Sequence, residues 1–402
     1  MNQYMKIIPK QSIALILLSA LTACESGGDM PIQHADDYST MTFSVQSERL
    51  VSRTNPYETY DPAKHPTTMS VFGYHDNQLT DPIFNNTLVT YNATEKLWDY
   101  DGKRQWDDYK GISKTFDFFA AMPNTGENQL APTEETLSNP TTASFAYTLS
   151  LPFSIPKMGT GSTAQSAPLL YDVTQAPLIC AHPEHKAGTN ATGNQFTFER
   201  TIKFQFDQTL TGYKLLFMLD KKMGAIRQFR IKKIALSGEL ATSGIVNRTY
   251  TWNGSEWTAG DRIWKNIQRT KFDKEQPFVI VSASTNEGSS SKEGSNTAGS
   301  SEDLVVTSQD YSQWGATFYT IPDSKFNPTI TVTYDVELTA ENGNTVVTRK
   351  NITSDITFNK ANFDKLTTGG MALVNSIRIL IQPRYLYVLG DDDAYTGHLL
   401  VE

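Results

Sequence analysis

Two tandem antiparallel β-sandwiches are the fold this sequence predicts, on three observations. The composition favours strands, because 18 Tyr, 20 Phe and 6 Trp, with abundant Thr and Val, are residues that suit a pleated, half-buried surface. Apolar and polar residues alternate over many short runs. Gly, Pro, Asn and Asp punctuate those runs, and almost no stretch has a helical period.

Before the first strand, Lys6 and Lys10 precede an apolar run, Ile13–Leu21, which ends in Leu21-Thr22-Ala23-Cys24. A basic start, a short apolar stretch and small residues at its end have the order of a secretory signal. The run is shorter than the roughly 20 apolar residues that span a bilayer. Its Leu-x-Ala-Cys ending resembles the lipobox of bacterial lipoproteins, which implies acylation of the Cys24 thiol; the plainer alternative is an ordinary secretory signal. Each buried CH₂ of an acyl chain contributes ~0.8 kcal/mol, and stable anchoring takes more than one chain, a condition that a di- or triacylated cysteine meets. Residues 1–24 are therefore expected to be a lipoprotein signal and 25–38 an acidic linker.

The first strand falls at Met41–Val45, with Phe43 and Val45 on one face. Met69–Tyr74 is the second. Leu88–Tyr91 and Leu97–Tyr100 form a hairpin pair, after which Asp101-Gly102 turns the chain. Thr115–Met122 is a strand that Pro123 ends by removing a backbone donor. Ser144–Leu151 follows, then Leu169–Asp172. A polar patch, Pro183–Asn194, marks the expected boundary between an N-terminal sandwich, 39–192, and a C-terminal one, 193–402. The second half opens on Phe196, Phe198, Arg200, Ile202, Phe204 and Phe206 sharing a face. Lys214–Leu219, Phe229–Leu236 with a bulge at Lys232-Lys233, and Thr329–Leu338 are further strands. Ser284–Ser301 reads as a surface loop, Ala361–Leu366 as a short helical turn, and Ile377–Ile381 with Tyr385–Leu389 as the last strand region.

The 402 residues carry a formal net charge of −8, against the clustered Lys and Arg that a nucleic-acid partner requires. Apart from Cys24 the only cysteine is Cys180, so no intramolecular disulfide framework is expected. No Gly-x-Ser-x-Gly, His-Glu-x-x-His or phosphate-loop motif occurs. Cys180, His182 and His185 are of metal-ligating type, yet no second cluster completes a four-ligand site, and a polar loop is the preferred reading. Asp391–Asp393 lacks the spacing of a calcium loop and reads as an acidic turn. The six tryptophans, Trp98, Trp106, Trp252, Trp257, Trp264 and Trp314, are expected to pack in cores or across strands rather than to form sugar platforms. No catalytic residue, metal site or cofactor is expected.

Together the Cys24 lipobox, Thr42-Phe43-Ser44-Val45 with the downstream Arg53-Thr54, Val71-Phe72-Gly73-Tyr74, Phe118–Pro123, Leu169–Asp172, the Phe196–Phe206 strand and Phe318–Pro322 resemble the fimbrillin-like lipoproteins, the type V pilins of anaerobic bacteria. The resemblance covers essentially the full chain. It implies transthyretin-like sandwiches, a cell-surface lipoprotein of the outer membrane, and assembly into an adhesive pilus. It further implies that a trypsin-like protease cuts after an arginine, here Arg53 or alternatively Arg49. The first strand, Met41, Thr42, Phe43, Ser44 and Val45, then leaves, and a neighbouring subunit's strand fills its groove. The donor is expected within Ile377–Glu402, with Leu399, Leu400 and Val401 continuing it. Head-to-tail pairing of this kind does not close and so grows a filament. The other reading, from a different class, is a glycan-binding surface lipoprotein associated with nutrient uptake, which needs an exposed aromatic platform and neither arginine nor donor strand.

Overall fold

The computed structural model describes residues 39–48, 57–76, 81–109, 111, 115–133, 145–158, 165–188, 198–221, 227–283, 304–306, 309–323, 325, 327–339, 344–356, 374–382 and 398–401. Cys24, Arg49, Arg53, the 284–301 loop, the 361–366 turn, the 385–389 strand and Asp391–Asp393 lie outside them. By its contacts Ser39–Glu402 is one compact unit.

The strands are β1 (Thr42–Glu48), β2 (Tyr57–Thr59), β3 (Thr68–His75), β4 (Phe84–Asn92), β5 (Leu97–Asp99), β6 (Thr115–Met122), β7 (Gln129–Pro132), β8 (Phe145–Ser154), β9 (Lys157–Met158), β10 (Gln165–Ser166), β11 (Leu178–Cys180), β12 (Glu184–Ala187) and β13 (Thr201–Gln208). They continue as β14 (Thr211–Leu219), β15 (Arg227–Trp252), β16 (Trp257–Ala259), β17 (Ile263–Phe272), β18 (Phe278–Ser282), β19 (Leu304–Val306), β20 (Ser312–Gln313), β21 (Phe318–Thr320), β22 (Thr329–Thr339), β23 (Thr345–Ile356), β24 (Val374–Gln382) and β25 (His398–Val401). The only helical elements among the described residues are two short 3₁₀ turns, Trp106–Tyr109 and Val173–Gln175. The protein is all-β.

One sheet runs β2-β1-β13-β11-β6-β3-β4-β5, with β12 also on β6; a second runs β23-β22-β15-β8-β7, with β16 to β19 also on β15; a third runs β20-β14-β24-β25, with β21 on β14. Most pairs are antiparallel, as alternation and short turns dictate. Two pairs among the described residues are parallel, β1 with β13 and β14 with β24. Both join strands more than a hundred residues apart, where no hairpin turn forces the chain to reverse.

The strand β6 matches its expected bounds, Thr115–Met122. Its residues are buried on both faces from Phe116 to Met122, as in a strand covered on both sides. The strand β15 is the principal surprise. It continues 16 residues past Leu236, the expected end of the strand. Gly238 keeps a positive φ of 125°, a conformation that glycine takes without strain, and the strand bends through it instead of ending. The register passes over Lys232 between Ile231 and Lys233, the bulge expected there.

Buried side chains gather in two clusters. The first takes in Met41, Phe43, Val45, the inner faces of β3, β4 and β6, and Ile202, Phe204 and Phe206 of β13. The second holds Phe217, Ile231, Val332, Tyr334 and Ile377, Ile379 and Ile381. They do not part at Gly193, since β13 belongs to the first, and β15 serves both, through Phe229–Leu240 in the second and Val246 and Tyr250 in the first.

Gly73 on β3 is a point where the first cluster closes around bare backbone. A Cβ there would sit 2.7 Å from Phe118 Cδ1 and 2.9 Å from Phe84 Cδ2, and both rings are fully buried. Overpacking of this kind costs ~1–3 kcal/mol. Gly73→Ala is expected to lower the thermal unfolding midpoint by several degrees, measured by circular dichroism.

Candidate functional site

The strand β1 alternates strictly. Met41, Phe43, Val45 and Ser47 point inward and are buried, while Ser44 and Gln46 are exposed. The alternation places the side chains, and the parallel ladder to β13 sets their register: Phe43 opposite Ile202, Val45 opposite Phe204, Ser47 opposite Phe206. Around Phe43 the groove is aromatic. Its ring lies 5.4 Å from Tyr100 edge-on, 5.6 Å from Phe84 and 6.0 Å from Phe204 stacked.

Each end of β1 is tied off differently. At the start, Met41 N donates to Arg104 O at 2.9 Å, Tyr100 OH donates to Met41 O at 3.0 Å, and Trp106 N donates to Ser39 O at 2.7 Å. At its end, β1 pairs with β2 over Gln46–Glu48. Arg49 and Arg53 fall in sequence between these two strands, so the covalent route from β1 into the rest of the compact unit passes through both expected cleavage points.

The wall formed by β13 is braced from behind. Asp207 on β13 accepts from Arg248 Nη1 at 2.5 Å and from Tyr57 OH at 2.9 Å. Arg248 also donates to Cys180 O at 3.1 Å and, through Nε, to Gly260 O at 3.0 Å, while Tyr250 OH donates to Cys180 O at 2.7 Å. A buried ion pair of this kind contributes little net stability, yet removing one partner strands the other. Its place here is to join β13, β11 and β15 in one arrangement.

Past β2, the chain from Tyr60 to Pro66 lines the end of the groove. Tyr60 packs against Tyr91 at 4.8 Å and Trp98 at 4.9 Å, and its hydroxyl donates to Pro66 O. His65 is buried, and its Nε2 lies 2.7 Å from Ser47 Oγ. Sequence reasoning passed over His65, Ser47 and Tyr57. Ser47 continues the inward phase of Phe43 and Val45, and that phase was the available signal.

The other candidates resolve as packing. Cys180 is fully buried beside Tyr250 OH, and burial pushes its thiol up, away from nucleophilic character. His185 instead meets Asp117, with Nδ1 to Oδ1 at 2.7 Å, and Trp257 Nε1 donates to the same oxygen. Among the described residues no group of three or more His, Cys, Asp or Glu could hold a metal ion. Trp98, Trp106, Trp257 and Trp314 are buried, and Trp252 and Trp264 pack partly buried on the first cluster. Trp252 and Trp257 face each other across the β15–β16 pair. Of the C-terminal segment, Leu399, Leu400 and Val401 lie in β25, opposite Ile381, Leu380 and Ile379 of β24.

Burying an apolar side chain of this size is worth ~1.5–3 kcal/mol, so Met41, Phe43 and Val45 together contribute roughly 5–9 kcal/mol. Phe43→Ala is expected to destabilise the chain by ~3–5 kcal/mol, read from chemical denaturation. His65 supplies a pH effect. Burial lowers its pKa, with Glu58 and Asp61 opposing, so the unfolded chain binds the proton first as pH falls through about 6.5. Stability is then fully present above that pH and is lost below it. A His65→Asn variant is expected to flatten the fall in melting temperature between pH 7 and 5.5.

No protein-family model matches the sequence, and no curated protein matches it. Among solved structures, the chain is similar to a fimbrial protein from Bacteroides vulgatus, at 13% identity over 90% of this chain and 98% of that one, with a TM-score of 0.45. It is also similar to a fimbrial protein from Bacteroides ovatus, at 11% identity over 86% of this chain and 51% of that one, TM-score 0.28. A third is the fimbrial anchor protein Mfa2 from Porphyromonas gingivalis, at 10% identity over 90% and 97%, TM-score 0.27. The solved structures it is similar to thus include fimbrial proteins, at TM-scores that leave its function to be read from its own groove.

Proposed function

We propose that this chain is the precursor of a pilus subunit with a role in adhesion, anchored in the outer membrane through lipid on Cys24. On this reading it polymerises after a trypsin-like protease cuts after Arg53, or alternatively Arg49, and β1 gives way to a strand of the next subunit. The observation that carries the reading is β1 itself. It is an inserted strand that completes a core, lies parallel to β13, and runs on in the chain to β2, with which it also pairs, through the stretch bearing both arginines. Its departure opens an apolar groove beside an unpaired strand edge, and such an edge templates another strand. An incoming strand supplies main-chain hydrogen bonds, and its alternating side chains fill the pockets. The donor on this reading is the C-terminal segment with Leu399, Leu400 and Val401. The glycan-binding reading is weakened by the six tryptophans, four buried and two packed partly buried on a core.

The test is limited trypsin digestion of the detergent-solubilised full chain, followed by N-terminal sequencing and an unboiled gel. A single early cut after Arg53 or Arg49 and a ladder of detergent-resistant oligomers are expected, with the ladder abolished in Arg53→Ala. Polymer formation by that variant would move the cut to Arg49 or elsewhere. A cut without a ladder would make the chain a tip or anchor subunit. No preferred cut and monomer alone would overturn the reading.

A further inference from the structure

The second sheet carries a cleft of about 480 Å³ on the face turned away from the first cluster. Its volume falls within the ~300–1,000 Å³ of small-molecule sites. Alternation along β8 and β15 sets its floor. Leu149, Leu151 and Val246 point into the first cluster, so Ser150, Pro152, Ile245 and Asn247 fall on the other face, where they line the cleft. Ser150 stands opposite Asn247, and Pro152 opposite Ile245.

A bulge in β17 supplies one wall. Ser243 pairs with Gln268 and Ile245 with Lys265, so Gly244 alone opposes Asn266 and Ile267. Asn266 takes a left-handed φ of 53° there, which asparagine tolerates better than most residues. Bulges re-aim side chains, and Lys265 and Asn266, adjacent in sequence, both line the cleft. Another wall is the turn between β6 and β7, with Gly126 and Glu127. That turn is pinned from behind. Asn86 Nδ2 donates to Gly126 O at 2.9 Å, and Asn124 Nδ2 and Asn128 Nδ2 donate to Ser70 Oγ at 2.9 and 2.7 Å. The cleft is therefore preformed on hydrogen-bonded backbone. Within it, Asn247 Oδ1 is buried without a hydrogen-bond partner.

We propose that this cleft binds a neutral sugar ring. A buried acceptor needs a donor, and a ligand hydroxyl supplies one. Because a hydroxyl both donates and accepts, it meets the Asn247 amide in either orientation. Glu127 offers acceptors and Lys265 offers donors. A ring of hydroxyls serves both, whereas an anion meets repulsion from Glu127 and a cation from Lys265. Pro152 and Ile245 give the C–H face of the ring an apolar patch. No aromatic residue is among the described residues that line the cleft, so this is not the tryptophan platform that a nutrient-capturing lipoprotein needs. The site gives the adhesive role proposed above a ligand class. It does not depend on strand exchange, since no residue of β1 or β13 lines it.

The experiment uses the uncut full-length chain in a detergent without a sugar headgroup. The probes are the methyl glycosides of glucose, galactose and mannose, with N-acetylneuraminic acid and glucosamine as charged counterparts. Binding is read by saturation-transfer NMR and titration. At least one neutral glycoside is expected to bind, and to bind more tightly than either charged sugar. Asn247→Leu is expected to weaken that binding about tenfold. Asn266→Gly keeps the left-handed backbone, removes only an exposed amide, and is expected to weaken it severalfold, so the test survives a misfolded Asn247→Leu. Binding of no neutral glycoside overturns the inference. Tighter binding of a charged sugar does so too, as does binding unchanged in Asn266→Gly or in a folded Asn247→Leu. An oligomer ladder after trypsin without sugar binding counts against this cleft alone, and sugar binding without a ladder counts against strand exchange alone.

Discussion

Everything about this molecule's first core depends on one strand whose side chains belong there and whose backbone is secured mainly by a distant partner. Phe43 sits among Phe84, Tyr100 and Phe204, and the 5–9 kcal/mol estimated for the inward face of β1 is comparable with the whole net stability of an ordinary domain, about 5–15 kcal/mol. The remaining sheet cannot lose that face and stay closed. A parallel strand also has no tight turn to hold it in register. Its register comes from alternation on the inside and, outside, from contacts such as Thr42 Oγ1 with Thr201 Oγ1 and Gln205 Nε2 with Gln46 Oε1.

That combination makes covalent continuity matter. While 49–56 is intact, β1 reaches its groove as an intramolecular ligand, at an effective concentration that no free peptide matches. Once the link is cut, the same contacts must also offset lost translational and rotational freedom, estimated at 4–15 kcal/mol for association. The strand passes from secure to replaceable with no change in its contacts. The wall it leaves does not share that fate, because Asp207, Arg248, Tyr250 and the Cys180 carbonyl tie β13 to β11 and β15. Buried polar groups in such a network specify one arrangement rather than add much stability, and a groove that is to receive a strand in register needs a wall that does not slip.

Much of the fold is legible in sequence wherever one face is buried and the other wet. Ile202, Phe204 and Phe206, then Ile330, Val332, Tyr334 and Val336, and Ile377, Ile379 and Ile381 all stand at alternate positions and are all buried. The legibility fails where that condition fails. The strand β6 is covered on both faces, so Phe119 and Ala121 are as buried as Phe118 and Ala120. The strand β15 runs on past Leu236 through Gly238, because the ladder continues there with β17 in place of β22. The parallel partnership of β1 with β13 was hidden because it links residues about 160 apart, and alternation carries no information about a strand's neighbour. At the groove, the inward phase of Phe43 and Val45 was readable. The meeting of Ser47 with His65 was not, since it depends on how the chain returns after β2.

On the strand-exchange reading, what holds β1 and β25 bears on what gates assembly. At one end β1 is held by a six-residue parallel ladder, by β2, by the Arg104 and Trp106 backbone contacts and by three buried apolar side chains. At the other, β25 is joined to β24 by a ladder of four residue pairs, Ile379 with Val401 to Gln382 with His398. If β25 is the donor, freeing it breaks that ladder, and freeing the acceptor groove requires emptying a core. The slow and controllable event is then at β1, and spontaneous opening is opposed by most of a domain's stability. On that reading proteolysis removes the control in one irreversible step, since it abolishes the intramolecular return of the strand. A head-to-tail contact made this way is heterologous, with different surfaces on the two partners, and heterologous contacts that do not close by rotation extend as filaments. On the strand-exchange reading the cut is then the gate on growth, and the apolar pockets left by Met41, Phe43 and Val45 are what an incoming strand must fill.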